Sequence, residues 1–258
     1  MPTIDANGCP IHVEIEGPDK APVLLFSNSL GTNLHMWDEQ AKHFAKKFRV
    51  VRYDQRGHGK SGAPKVPYTL ERLGKDVVAI LDGLKIERAH FCGLSMGGFT
   101  GMWLGRLAPK RIGKLILSNT AAKIGDPIIW NGRIQTVLGK GMGAIVDGVL
   151  ERWFTKTFRE KSAPAVAVVR EMLLTTAPHG YAGCSAAIRD MDQRWDIGTI
   201  ALPTLIIAGE HDPATTVKDA ELVASRIKGS KFVKLDAAHL SNIEQSKQYT
   251  DTIEKFLG

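Results

Sequence analysis

Hydrophobic positions along this chain fall into two rhythms. Short apolar, β-branched runs at 23–26, 49–53, 114–117, 202–208 and 231–235 read as buried strands, and another begins at Ala89. Between them lie amphipathic stretches at 37–47 and 70–84, the latter with apolar residues three and four apart, which predict helices. Residues 11–15 and 23–26, joined through Gly17-Pro18, read as an antiparallel pair at the start. Strand and helix then alternate, which predicts an α/β fold: a mostly parallel sheet flanked on both faces by helices. From 122 to 195 the pattern is helical throughout, with breaks at Gly139-Lys140-Gly141, Ser162-Ala163-Pro164 and Ala177-Pro178-His179-Gly180. No strand returns until Leu202. The expected organisation is a core of 1–121 and 196–258, interrupted by an all-helical cap of 122–195 above the carboxyl ends of the strands.

The segment with most chemistry is Ala89-His90-Phe91-Cys92-Gly93-Leu94-Ser95-Met96-Gly97-Gly98. A strand that ends in Gly-x-Ser-x-Gly and runs into a helix forms a nucleophile elbow. The serine is forced into a strained backbone conformation with its hydroxyl outward, and the residues two away must be small, as Gly93 and Gly97 are. The helix after it aims free N–H groups at any anion that forms there. Without its partners, the same segment would be a glycine-rich turn with an incidental serine.

A serine hydroxyl needs a histidine base, and the histidine needs a carboxylate to hold its tautomer. In open parallel sheets the partners follow in the order acid, then histidine. The strand at 202–208 breaks at Gly209-Glu210-His211-Asp212-Pro213, and the last strand is followed by Asp236-Ala237-Ala238-His239. The expected triad is therefore Ser95, Asp212 and His239, each just beyond a strand end, where ligands bind in such sheets. Glu210 and Asp236 are rival carboxylates, and His211 is a rival base that precedes the last strand. The other histidines (His12, His35, His43, His58, His90 and His179) read as surface or core residues. After the strand at 114–117 the chain reads Ser118-Asn119-Thr120, which offers no acid. The oxyanion needs two backbone donors. Met96 N–H is one, and Leu30 N–H, in the turn Ser27-Asn28-Ser29-Leu30-Gly31-Thr32, is the other.

Composition changes this picture little. With 258 residues, 43% apolar and 24% charged, the chain fits one catalytic domain with an insertion. A net charge of +7 and a pI near 9.3 come without a dense Lys/Arg run, so no nucleic-acid partner is expected, and positive potential would favour an anionic substrate. Cys9, Cys92 and Cys184 are scattered and odd in number, which indicates neither disulfides nor a metal site, and Cys92 reads as a small core residue. No cofactor is expected. The start Met1-Pro2-Thr3-Ile4-Asp5 lacks a basic and an apolar stretch, and no segment is long enough to span a bilayer. A cytoplasmic protein with no membrane partner is expected.

These residues make the chain resemble the α/β-hydrolase superfamily over nearly its full length. Asp54-Gln55-Arg56-Gly57-His58-Gly59-Lys60-Ser61 is similar to a segment these enzymes carry, and it reads as a structural turn. A phosphate-binding loop fails there, because its first glycine would fall at Asp54. Within the superfamily the chain resembles the bacterial 3-oxoadipate enol-lactonases. The likeness lies in Ser27-Asn28-Ser29-Leu30-Gly31-Thr32 with Met36-Trp37, in Gly93 to Gly98, and in Ser118-Asn119-Thr120-Ala121. Most superfamily members carry His-Gly where this chain has Asn28-Ser29.

The resemblance implies hydrolysis of a small enol-lactone bearing a carboxylate, giving 3-oxoadipate in the β-ketoadipate pathway. Such a substrate wants a cation for its carboxylate and aromatic walls for its ring. Arg133 is the candidate cation, and Trp130 and Trp153 the candidate walls. Each could equally be a helix-face charge or a packing residue. The alternative enzymes are a small-substrate carboxylesterase, a perhydrolase-like esterase or a carbon–carbon hydrolase. A non-catalytic ligand receptor would require a compromised triad.

Overall fold

The computed structural model describes residues 3–258. Met1 and Pro2, at the start considered above, lie outside them. Eight strands form one sheet: β1 (Thr3–Asp5), β2 (Pro10–Glu16), β3 (Val23–Ser27), β4 (Arg49–Tyr53), β5 (Ala89–Leu94), β6 (Ile112–Ser118), β7 (Thr204–Gly209) and β8 (Lys231–Leu235). Their order is β1-β2-β4-β3-β5-β6-β7-β8, and every pairing from β4 to β8 is parallel. Crossovers are made by α1 (Asp38–Phe44), α2 (Leu70–Gly83), α3 (Met96–Leu107) and α9 (Val217–Arg226), and the chain closes with α10 (Ser241–Glu244) and α11 (Ser246–Leu257). Strands β3, β5, β6 and β7 are buried almost throughout, as expected for strands covered by helices on both faces.

The expected pairing of 11–15 with 23–26 is wrong. Strand β2 pairs antiparallel with β1 and β4, whereas β3 lies beyond β4 and is parallel to both β4 and β5. Two features decide this. Glu14 stands directly opposite Arg52 of β4, whose buried guanidinium also contacts Glu16, so opposite charges fix the β2–β4 register. The connection 17–22 is also too long for a tight hairpin, and it carries β3 past β4. Gly17 sits there at φ +88°, where a Cβ would fall 2.1 Å from the Phe48 carbonyl. Strand β1 was not foreseen, because three residues at a sheet edge leave no readable alternation.

Between β6 and β7 run α4 (Pro127–Lys140), α5 (Val146–Trp153), α6 (Lys156–Lys161), α7 (Ala163–Thr175) and α8 (Pro178–Asp190). The breaks follow local chemistry. Gly141 ends α4 at φ +74°, and Pro164 and Pro178 occupy the first turns of α7 and α8, where a missing N–H costs nothing. No helix among the described residues is long and apolar enough to cross a membrane.

The segment 54–61 forms a polar knot just beyond the end of β4, with residues 54–58 buried. Asp54 accepts N–H bonds from Leu34 and Lys60, both at 2.8 Å, and Ser61 Oγ donates to the Asp54 carbonyl at 2.7 Å. Arg56 donates to both oxygens of Asp76 on α2, at 2.5 and 2.6 Å, and to the Ala6 carbonyl at 3.2 Å. Both members of this pair are almost fully buried. Removing one partner strands the other charge, which costs about 3–5 kcal/mol. Asp76→Ala is therefore expected to lose that much in urea unfolding, well above an exposed control such as Asp251→Ala; equal losses would contradict this role.

Candidate active site

The sharp turn between β5 and α3 places Ser95 at φ +57° and ψ −113°, a conformation a non-glycine residue adopts only when its surroundings impose it. Those surroundings are specific. Ser95 N–H donates to the Ser118 carbonyl at 2.9 Å, and its own carbonyl accepts from Phe99 N–H at 3.0 Å and Thr120 Oγ1 at 2.9 Å. A Cβ on Gly93 would fall 2.2 Å from the Gly97 carbonyl, and one on Gly97 would fall 2.2 Å from the Ser27 carbonyl. The size constraint expected at both glycines is thus met by backbone, which cannot move aside.

His239 follows β8, and its Nδ1–H donates to Asp212 Oδ2 at 2.7 Å. Both are buried. Asp212 has its remaining capacity filled: Ala214 and Thr215 N–H groups reach Oδ1 at 2.8 and 3.0 Å, while Thr215 Oγ1 and Asn119 Nδ2 reach Oδ2 at 2.7 and 3.1 Å. Burial alone would raise the Asp212 pKa. The charge and hydrogen bond of His239, with the Thr215 donors, outweigh it and hold the carboxyl below its ordinary value. The rival groups lie elsewhere. His211 and Asp236 are exposed and pair with each other at 2.7 Å, and Glu210 is exposed beside them.

Ser95 and His239 line one cavity of about 160 Å³, with no hydrogen bond formed between them. Its inner wall is Ser29, Leu30 and Phe99, and the helices α4, α5 and α8 contribute Trp130, Arg133, Arg152, Trp153, Tyr181 and Ile188. Leu30 N–H and Met96 N–H have no acceptor among the described residues. The turn that carries Leu30 is locked around it. Asn28 donates to the Tyr53 carbonyl at 2.9 Å and accepts from Trp37 Nε1 at 3.0 Å, and its carbonyl receives Gly97 N–H at 3.0 Å. Gly31 N–H donates to His58 Nε2 at 2.8 Å, so His58 must carry its proton on Nδ1, which faces the Arg56 carbonyl at 3.1 Å. Full burial lowers the His58 pKa to about 4 and keeps the ring neutral.

The structure brings Trp130, Arg133 and Trp153 to this cavity together. Trp153 stacks on the His239 ring, with centroids 6.0 Å apart and planes at 28°. The Trp153 carbonyl accepts Leu240 N–H at 3.1 Å, and Glu244 accepts Ala238 N–H at 3.0 Å while also contacting the Thr155 hydroxyl. The residues on both sides of His239 are thereby fastened to the segment 153–155. Arg133 lies over the Trp130 ring at 5.1 Å, and its one hydrogen bond is a long contact of 3.5 Å to Tyr181 Oη.

Several residues escaped sequence reasoning. Arg152 faces the cavity without a hydrogen bond or ion pair among the described residues, and burial together with the charge of Arg133 lowers its pKa. Its signal was a cation bordering the apolar stripe Val146, Val149, Leu150, Trp153 of α5. Asn119, in the loop that offered no acid, instead orients the acid: besides Asp212 it bonds the Ala238 carbonyl at 3.1 Å and Ser241 at 2.6 Å. Thr215 left no signal, since a hydroxyl three residues after a carboxylate is common in loops.

The family model for the alpha/beta hydrolase fold matches residues 22–138. The chain is 42% identical to 3-oxoadipate enol-lactonase 2 of Acinetobacter baylyi over 252 residues, 98% of this chain and 94% of that protein. It is 41% identical to 3-oxoadipate enol-lactonase 1 of the same organism, over 97% of this chain and 94% of that one. The crystal structure of the enol-lactonase from Burkholderia xenovorans LB400 matches with a TM-score of 0.98 and 44% identity, covering 99% of each chain.

The neutral His58 makes stability depend on pH. Its folded pKa lies below the unfolded value near 6.5, so between those values the unfolded chain binds the extra proton and stability falls as pH falls. From pH 7 to 5 this amounts to about 2 kcal/mol. In urea titrations the stability gap between the wild type and His58→Gln is expected to narrow by about that amount over this range. A constant gap would mean that His58 is not held neutral.

Proposed function

The chain belongs to the alpha/beta hydrolase family, and from that membership and its enol-lactonase relatives we propose that it hydrolyses 3-oxoadipate enol-lactone to 3-oxoadipate, within the β-ketoadipate pathway. It is a carboxylic ester hydrolase. The observation that carries the substrate reading is the pair Arg133 and Arg152, two guanidiniums without a carboxylate partner among the described residues, in a largely apolar cavity beside Ser95 and His239. Both are half-buried, so each guanidinium loses part of its hydration without gaining a counter-charge, and the two repel each other. An anionic group supplied by the substrate relieves both penalties, which a neutral ester would not.

In the proposed reaction the substrate carboxylate pairs with Arg133 and Arg152, and its ring lies against Trp130 and Trp153. His239 Nε2 takes the proton from Ser95 as Oγ attacks the lactone carbonyl. Asp212 holds the imidazole in the required tautomer and stabilises the imidazolium. The N–H groups of Leu30 and Met96 bind the tetrahedral oxyanion, each worth about 3 kcal/mol of barrier. The ring C–O bond breaks, the enolate leaves, takes up a proton and ketonises, all still tethered to the acyl group. His239 then activates water, which releases 3-oxoadipate and frees Ser95. No cofactor enters this scheme. Residues 122–195 act as the cap that excludes water and shapes the pocket. A substrate that its charge keeps inside the cell accords with a cytoplasmic enzyme.

Ser95→Ala is expected to lower the rate of enol-lactone consumption, followed by its ultraviolet absorbance, by at least about 10⁴-fold. Arg152→Ala and Arg133→Ala should each lower kcat/KM for the lactone by about 10- to 100-fold, since each removes a charge-assisted bond, with p-nitrophenyl acetate hydrolysis within about twofold of wild type. Fast, Ser95-dependent acetate turnover with no lactone consumption would replace this reading with a small-substrate carboxylesterase.

A further inference from the structure

The turn after β3 holds a polar group that the reaction above does not use. Ser29 is about 1% exposed and lines the cavity with Leu30, Ser95 and His239, yet its Oγ has no hydrogen-bond partner in the protein. Other buried side-chain atoms lack partners too, but among the described residues Ser29 is the one of them that lines this cavity. Its backbone is fully occupied. Ser29 N–H faces Met36 Sδ at 3.4 Å, and its carbonyl accepts Thr32 N–H at 3.2 Å and Thr32 Oγ1 at 2.9 Å. The Asn28 side chain and carbonyl and the Gly31 N–H and carbonyl, on either side, have partners. In the run 28–31 the Ser29 hydroxyl and the Leu30 N–H are both donors without an acceptor among the described residues.

A buried hydroxyl without a partner destabilises a fold, and alanine would occupy the same space without that cost. Serine at this position gains its partner only when something enters the cavity. We infer that Ser29 is a catalytic residue whose hydroxyl donates a third hydrogen bond to the oxyanion, beside the N–H groups of Leu30 and Met96. The two free groups are consecutive on one pinned turn, and the hydroxyl is a donor that rotates. It can follow the carbonyl oxygen as the carbon goes from trigonal to tetrahedral. No proton is transferred: Ser29 keeps its hydrogen, and the negative charge returns to the carbonyl when the leaving group departs. The inference rests on acyl transfer at Ser95 and not on the identity of the acyl group.

Acylation and deacylation both pass through the tetrahedral anion, so both rates fall when Ser29 is lost. Ser29→Ala is expected to lower kcat about tenfold or more on the enol-lactone and on p-nitrophenyl acetate, with KM within about twofold and the pH profile unchanged. Its Tm should rise by about 2 °C or more, since the unpaired hydroxyl is gone. Ser29→Cys, a weaker donor of similar shape, should fall between wild type and Ser29→Ala in kcat. A tenfold loss on the acetate alone, with the lactone untouched by any variant, upholds this role and rejects the lactone as substrate. Unchanged kcat in Ser29→Ala overturns it, as does a loss of kcat accompanied by a lower Tm, which would mark a packing role.

Discussion

The unfavourable backbone at Ser95 is the constraint on which the rest of this molecule turns. A non-glycine residue held at positive φ costs of order 1–3 kcal/mol and persists only where neighbouring contacts over-determine it. Here the contacts come from the ends of two strands. Strand β6 accepts the Ser95 N–H, the Thr120 hydroxyl just beyond it binds the Ser95 carbonyl, and the end of β3 lies against Gly97 so closely that no side chain fits. The residues next to those that hold the elbow also place the loops around it. Asn28 joins the turn carrying Leu30 to Gly97, and Asn119, next to Ser118, reaches across to Asp212. Strain and positioning are thus one set of contacts.

The electrostatic arrangement around the cavity separates its charges by role. At the sheet edge the Asp212 carboxylate is filled with donors, and these together with His239 hold it below its ordinary pKa. Arg133 and Arg152 sit on helices and make no ion pair among the described residues, so their field is available to whatever enters. Apolar walls weaken screening and extend the reach of both. His58 stands apart from either group. Its burial keeps it neutral, so its Nε2 can accept from Gly31 and steady the turn that carries Leu30 without adding charge near Ser95.

What could be read from the chain beforehand divides by physical range. The elbow was legible because its requirements are local: a strand, two glycines and a serine within five residues. Asp212 and His239 were legible through their order at strand ends, which the parallel topology dictates. The β2–β3 pairing was misread because proximity in sequence favours a hairpin, whereas the partner choice depends on Arg52, some 35 residues on, meeting Glu14 and Glu16. Arg152 and Asn119 stayed hidden for a similar reason. A lone arginine or asparagine says nothing until the fold shows what it faces. Ser29 was quoted as part of a motif, but that its hydroxyl has no partner is a statement about three-dimensional neighbours.

The fastening of residues 153–155 to 238–244 has a consequence for how such a protein can diverge. The stretch that stacks on His239 and the stretch that bears it are about 85 residues apart in sequence, yet they are joined by the Leu240–Trp153 hydrogen bond and by Glu244, which binds Ala238 N–H and contacts Thr155. The helices between β6 and β7 and the sheet core are therefore not separate modules. A recombination that brings in a foreign helical insertion inherits its own version of 153–155 and must meet the resident Glu244 and Leu240. Where the two are mismatched, the donor scaffold keeps its fold but loses the register of its histidine. New pockets on this scaffold arise more readily by substitution within α4 and α8, which among the described residues carry no such hydrogen-bonded tie to the His239 loop, than by exchange of the insertion whole.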